Sequence, residues 1–266
     1  MGEEWSYNPS IVSYWQKGKH NNDGYVSYLP SVMDFPLQKA MIGALQPETE
    51  GWSESFADLY RALANDFVYP DPSNLVVFAD NHDMSRVFKQ VQHDEDMWRI
   101  AMAYLAVTRG IPQIYYGTEI LLADPDGDHG NIREDFPGGW EGDETNAFLI
   151  GPESGLDSNQ IEAQLFLKEL VNWRKDKDVI HTGELTHFAP LFNSRVYTLI
   201  RHNEEEAVVF VINKSDEEAV LNLEKYAEVV GNPSEAHDVM MGAPVKFSNN
   251  ELRVPSHSFR ILEVKR

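Results

Sequence analysis

The 266-residue chain contains no cysteine. That excludes disulfide scaffolds, thiolate metal sites and a cysteine nucleophile, and leaves the compartment open. Basic residues are scarce, with 22 lysines and arginines against 43 aspartates and glutamates, a formal charge of −21. Such a chain repels phosphate backbones and anionic leaflets, so nucleic acid and membrane surfaces fall away as partners while neutral substrates stay in. No apolar run approaches the roughly 20 residues of a spanning helix. The opening Met1-Gly2-Glu3-Glu4-Trp5 has neither the basic nor the apolar part of a signal peptide. The chain reads as soluble, with periplasmic, extracellular and cytoplasmic settings all open. It also has no Gly-x-Ser-x-Gly elbow, phosphate-binding Gly-rich loop or His-Glu-x-x-His pair.

What is present is enough for a core: 42% hydrophobic and 24% charged residues, an ordinary globular mix. Up to about Lys177 helix-like and strand-like runs alternate. Asn8-Pro9 predicts a capped helix to about Gln16. Val32, Met33 and Phe35 form a short apolar run, and Pro36 opens a helix through Leu45. Phe56, Leu59, Tyr60 and Leu63 keep helical spacing, and Leu75–Phe78 is the continuous apolar run of a strand buried on both faces. Residues Asp96–Arg109 carry the apolar stripe of an amphipathic helix with Gly110 as its stop. Ile111–Tyr116 reads as the next strand, followed by a polar segment, Leu122–Asn159, too long for a mere connector. A last helix is centred on Ala163–Val171.

Beyond about Val179 only strands are expected, at Val196–Ile200, Ala207–Ile212, Ala219–Leu223, Pro244–Phe247 and Phe259–Val264. Alternating elements followed by strands alone imply an α/β part, residues 1–180, and an antiparallel sandwich, residues 181–266. The first part carries −17 of the formal charge and the second −4.

The sharpest chemical feature is Asp80-Asn81-His82-Asp83, directly after the buried strand. Ligands of α/β folds bind outside the carboxyl ends of strands, although Asp83 as a helix cap beside a structural His82 explains the spacing equally well. Glu3 and Glu4 precede Trp5, and an indole can desolvate a neighbouring carboxyl; a solvated pair is the plainer reading. Tyr115, Tyr116 and Glu119 close the next strand, where stacking on a ligand and core packing are both open. Asp124, Asp126 and Asp128 follow the first half of a calcium loop, with Asp135 at the twelfth position. His129 replaces the glycine expected at the sixth, and a solvated acidic turn is the stronger reading. No cofactor is otherwise evident. Asn213-Lys214-Ser215 fits a glycosylation acceptor.

Taken in order, GEEW (2–5), FADNHD (78–83) and PQIYYGTEI (112–120) resemble three successive signatures of the α-amylase family of glycoside hydrolases. HGNIREDFPGGW (129–140) is similar to the neopullulanase and cyclomaltodextrinase branch. The resemblance implies the carboxyl-terminal part of a TIM (β/α)8 barrel, about strands 6 to 8, followed by a β-sandwich. It makes Glu3 the general acid/base, Asp83 the carboxylate supporting the distorted sugar and His82 a donor to that sugar. Asn81, Arg86, Tyr116, Arg133 and Trp140 are the implied substrate contacts, and no metal ligands are implied. The substrates would be α-glucans such as starch, maltooligosaccharides, pullulan or cyclodextrins, cleaved by a retaining mechanism.

The family's nucleophile, an Asp two residues after an Arg at a strand end, has no counterpart. The Arg-x-Asp sequences here, Arg133-Glu134-Asp135 and Arg174-Lys175-Asp176, follow no apolar run. The expectation is therefore a partial enzyme, inactive alone, that associates with itself or pairs with an amino-terminal half. A non-catalytic carbohydrate-binding or regulatory module, and a transglycosidase or isomerase of the same family, are the alternatives.

Overall fold

The computed structural model describes residues 1–46, 56–191 and 194–266. Four short backbone segments lie side by side in parallel. Gly2 bridges Val32, Met33 bridges Val76, and β1 (Val76–Phe78) pairs with β2 (Ile111–Gln113). The connecting bonds are regular: Met33 N donates to Gly2 O at 3.0 Å, Asp34 N to Val76 O at 2.9 Å, and Ile111 N to Leu75 O at 2.8 Å. Helices Phe35–Leu45 and Glu95–Val107 link successive segments. This is a run of a (β/α)8 barrel wall, and the segment expected at Val32–Phe35 is only a bridge pair, because Phe35 already begins a helix. Asp34 caps that helix by accepting from Leu37 N at 3.1 Å. The strand expected to reach Tyr116 stops at Gln113.

The remaining strands form an antiparallel sandwich. One sheet has the order β3 (Glu184–His187), β4 (Val196–His202), β5 (Glu206–Asn213), β10 (Ser258–Lys265), β7 (Glu235–Asp238), β8 (Ala243–Lys246). The other pairs β6 (Ala219–Asn222) with β9 (Glu251–Val254). Strands β3, β7 and β9 were not expected. Each is four residues long, and β7 and β9 bury only two positions apiece, so their apolar signal is too weak to stand out. Both faces of β4 and β5 are covered. Tyr197, Leu199, Val208, Phe210 and Ile212 face the barrel segments, whereas Ile200, Val209 and Val211 face β6 and β9. That is why Ala207–Ile212 reads as an unbroken apolar run rather than an alternating one.

Helix Glu95–Val107 is the joint between the two parts. It was expected to be amphipathic, but every residue from Met97 to Val107 except Arg99 is buried. It packs on the barrel segments and on the sheet, where Tyr104 meets Phe210 at 6.4 Å between centroids. One core therefore runs from Val77 through this helix to Ile261. Cations cap helix carboxyl ends, where the backbone dipole favours them, once across the joint and once within the barrel part. Lys214 Nζ donates to Ala44 O at 2.7 Å, and Arg174 donates to Ala106 O at 2.8 Å. Arg109 is buried between Asp34, at 2.7 Å, and Asp66, at 2.5 Å. Asn213 is fully buried and donates to the carbonyls of Glu217, Val254 and Pro255. Its amide is committed to a turn, so Asn213-Lys214-Ser215 is not a glycosylation acceptor. Among the described residues no helix is long and apolar enough to cross a membrane.

Candidate active site

The buried strand β1 ends in a turn that sorts its polar residues into two levels. Asp80 turns inward, accepting from Val87 N at 2.7 Å and from the Thr118 hydroxyl at 3.2 Å. Burial pushes its carboxyl up to about 6 despite those donors. Asn81 is 1% exposed, and its Oδ1 accepts from Asp83 N at 2.8 Å, an Asx turn that throws the next two side chains outward. Asn81 shapes the turn and is not a substrate contact. His82 and Asp83 reach solvent, with His82 Nε2 3.3 Å from Asp83 Oδ2.

Glu3 arrives from the first of the four parallel segments. Glu3, His82 and Asp83 each offer one nitrogen or oxygen, and those atoms all lie within 4.8 Å of one another. Among the described residues no other three histidines or carboxylates meet in this way. Glu3 is exposed and Trp5 stacks on Phe35 at 4.9 Å, so the apolar shelter that Trp5 suggested for the carboxyl is not there.

The long segment after β2 folds back onto this point. Asp128 caps a four-residue helix, His129–Ile132, by accepting from Gly130 N at 2.8 Å. The turn presents His129 Nδ1 3.7 Å from Asp83 Oδ1. Arg133 pairs with the same Asp83 oxygen and donates from Nε to His82 O at 2.9 Å. A cation seeking Glu3, His82 and Asp83 would meet the Arg133 guanidinium already on Asp83. The calcium reading of Asp124, Asp126 and Asp128 also fails. Asp124 is buried against Arg86 N (2.7 Å), Ser85 and Lys89, and donors that include the Lys89 ammonium hold its carboxyl below the usual range although burial opposes them. Asp126 accepts from Asp128 N and Asn131, so these carboxylates are spent on the chain's own donors.

Arg86 is 0% exposed and cannot touch a ligand. Its guanidinium lies 4.4 Å from the Tyr115 ring centroid and 5.0 Å from that of Tyr116. It donates to Tyr116 O, and to Ile132 O at 2.8 Å. Arg86 therefore fastens the turn after β2 and the His129–Ile132 helix to the strand end. Gly117 makes the turn, because its φ of +85° is left-handed and a Cβ there would sit 2.3 Å from Leu122 Cδ1. Tyr116 is half-exposed with its hydroxyl donating to Glu134 O at 2.8 Å. Trp140 stands apart on the long loop, 74% exposed.

The structure thus joins Glu3, His82, Asp83 and Arg133, places Tyr116 on their margin, and withdraws Asn81 and Arg86 into support. His129 was overlooked as a site residue. Its position four residues before Arg133, behind an N-capping Asp, is the helical spacing that could have revealed it. Of the two Arg-x-Asp sequences, Arg133-Glu134-Asp135 lies in the loop and Arg174-Lys175-Asp176 ends a helix. Neither occupies a barrel strand end.

Residues 1–182 match the family model described as alpha amylase, catalytic domain, and residues 185–263 that described as cyclo-malto-dextrinase C-terminal domain. The chain is 30% identical over 164 residues to a cyclomaltodextrin glucanotransferase of Paenibacillus macerans, covering 61% of this chain and 20% of that protein. It is 24% identical over 242 residues to a maltogenic α-amylase of Bacillus acidopullulyticus, covering 88% of this chain and 36% of that one. Among solved structures, an α-amylase of Geobacillus thermoleovorans, complexed with acarbose, superposes with a TM-score of 0.74 at 22% identity. That match covers 100% of this chain and 53% of the other. The chain spans about half the length of that enzyme and less of the other two.

Proposed function

The chain belongs to the α-amylase family, and on that premise we propose that it carries the acid/base side of a retaining glycosidase site for α-glucans. Glu3 is the general acid/base that protonates the glycosidic oxygen and later activates water. Asp83 supports the distorted sugar, and His82 donates a hydrogen bond to it. Arg133 and Tyr116 contact the sugar at the margin, with Trp140 farther along the loop. This chemistry belongs to residues 1–180, and residues 181–266 are the sandwich that braces them.

The observation that carries this reading is the convergence of Glu3, His82 and Asp83 within 4.8 Å at the carboxyl ends of parallel segments, from positions eighty residues apart. A retaining reaction also needs a nucleophilic carboxylate about 5 Å from the acid, on the other side of the bond cleaved. No Arg-x-Asp of this chain stands at a strand end, so the nucleophile comes from a polypeptide segment outside these 266 residues. Ile111 on the outer strand β2 is 48% exposed, and an open parallel edge of this kind is where further strands add. Sedimentation is expected to show self-association of the chain alone, and a clean monomer would count against an open edge.

The test is complementation. A polypeptide bearing parallel strands and an Arg-x-Asp strand end is supplied in trans, and hydrolysis of a maltooligosaccharide with retained anomeric configuration is expected. Glu3→Gln in this chain should lower that rate by about 10²- to 10⁴-fold, the usual worth of a general acid. Complementation indifferent to Glu3→Gln would remove Glu3 from its role. Binding of the sugar without hydrolysis by the assembled pair would make the protein a non-catalytic module.

A further inference from the structure

The loop that seats Arg133 on Asp83 continues past Trp140 into an exposed ring, Phe148, to which the proposed chemistry gives no role. Phe148 is 68% exposed and Trp140 74%. Phe136 packs beneath Phe148 at 4.8 Å between centroids. Gly139 abuts one edge of the Phe148 ring, since a Cβ there would be 3.4 Å from Phe148 Cε2, which places the backbone of Trp140, the next residue, near Phe148. Two large apolar rings so exposed on one loop form a surface patch that calls for a ligand.

The patch is rigidly mounted. Ala147 N donates to Pro137 O at 2.9 Å, Asn146 N to Ser154 O at 2.7 Å, and Gln164 Nε2 to Ala147 O at 2.8 Å. Trp140 N donates to Asp143 Oδ2 at 3.1 Å. A pre-ordered surface loses little entropy on binding. Its chemistry narrows the ligand. From Glu134 to Leu167 the sequence has eight carboxylates and no lysine, arginine or histidine, so phosphate and other anions are repelled. Faces of aromatic rings rimmed by hydrogen-bond acceptors suit a neutral polyhydroxylated ring. Trp140 follows Arg133 by only seven positions, a span of at most about 25 Å, within the reach of one oligosaccharide that also occupies the candidate site.

We propose that Phe148, together with Trp140, is a stacking platform for an α-glucan chain extending from the Glu3–His82–Asp83 site, so that the loop grips long oligosaccharides and ignores short ones. This rests on the glucan reading of that site.

The test titrates the 266-residue chain with maltoheptaose and with maltotriose by calorimetry. Maltoheptaose is expected to bind more tightly. Phe148→Leu, which keeps apolar area but removes the ring, should weaken it about three- to tenfold, with maltotriose affinity unchanged. Phe148→Trp should restore the wild-type value, which separates ring stacking from a folding defect. Affinity should also stay constant from roughly 50 to 500 mM salt, as it must for an uncharged ligand. If Phe148→Leu binds maltoheptaose like the wild type, the platform is overturned while the glucan site stands. If affinity collapses with salt, the acidic rim and not the rings holds the ligand, which also overturns it. If the unaltered chain binds neither sugar, the glucan reading itself falls, and the platform with it.

Discussion

The two regions of this molecule divide the work in opposite ways. In the sandwich, β5 and β10 share eight register pairs, and β4 and β5 are covered on both faces. In the barrel segments, β1 and β2 share three pairs and the other two segments meet only as single bridges. Long ladders and packed faces give the sandwich its own order, and none of the candidate site residues lies on them. Three-residue strands and single bridges give little order, yet Glu3, His82 and Asp83 follow directly on them. The comparison teaches that the site is kept in place mainly from behind, through helix Glu95–Val107 and the core it shares with the sheet.

The largest effect should therefore come from that shared core. Phe210→Ala, at a fully buried position facing the helix, is expected to cost about 3–5 kcal/mol. Tryptophan fluorescence and backbone circular dichroism should report one coincident unfolding transition; separate melting of the two regions would break the comparison. A loss of similar or somewhat smaller size is expected for Asp34→Ala, which leaves Arg109 buried with Asp66 alone. Uncovering half of a buried ion pair costs up to about 3–5 kcal/mol, and denaturant titration would measure it.

Asp80 sharpens the comparison through pH. Its carboxyl is raised to about 6 in the fold by burial, against about 3.9 in an unfolded chain. Folding therefore favours the neutral acid relative to the carboxylate. The stability it contributes is complete below about pH 4 and is lost as pH rises through about 6, at most about 3 kcal/mol in all. Asp80→Asn should flatten that slope in chemical denaturation between pH 4 and 7, and an unchanged slope would assign it to other groups. The smallest effect belongs to Arg133→Ala. Its ion pair with Asp83 is partly exposed, so the midpoint of thermal unfolding should move by less than about 4 °C.

Legibility in the sequence followed the same division. Helices whose signals are local, such as Asn8-Pro9 and the stripe from Met97, were plain, because caps and spacing lie within a few residues. β1 and β5 were plain because burial on both faces writes an unbroken apolar run. β7 and β9 were not, since alternate positions such as Glu235 and His237 point to solvent and leave only two inward residues. The all-round burial of helix Glu95–Val107 was also hidden, because its second face is covered by strands a hundred residues downstream.

In the site, Asp80-Asn81-His82-Asp83 stood out by its place after a strand. Which of its side chains turn inward depends on Val87 N, Thr118 and the Asx turn, and single-residue spacing carries none of that. Arg86 was expected as a contact only through the family resemblance, whereas its acceptors are the carbonyls of Tyr116 and Ile132, at positions 30 and 46 residues away. The pairing of Arg133 with Asp83 joins two irregular segments with no shared period, so only the fold reveals it.

The central claim is that this chain holds an acid/base and a supporting carboxylate but not the nucleophile. It is tested most directly by following reducing-sugar release from a maltooligosaccharide by the chain alone and by its Asp83→Asn variant. The account predicts negligible turnover for both. Efficient turnover that Asp83→Asn abolishes would contradict it, and would make Asp83, within 4.8 Å of Glu3, the nucleophile itself.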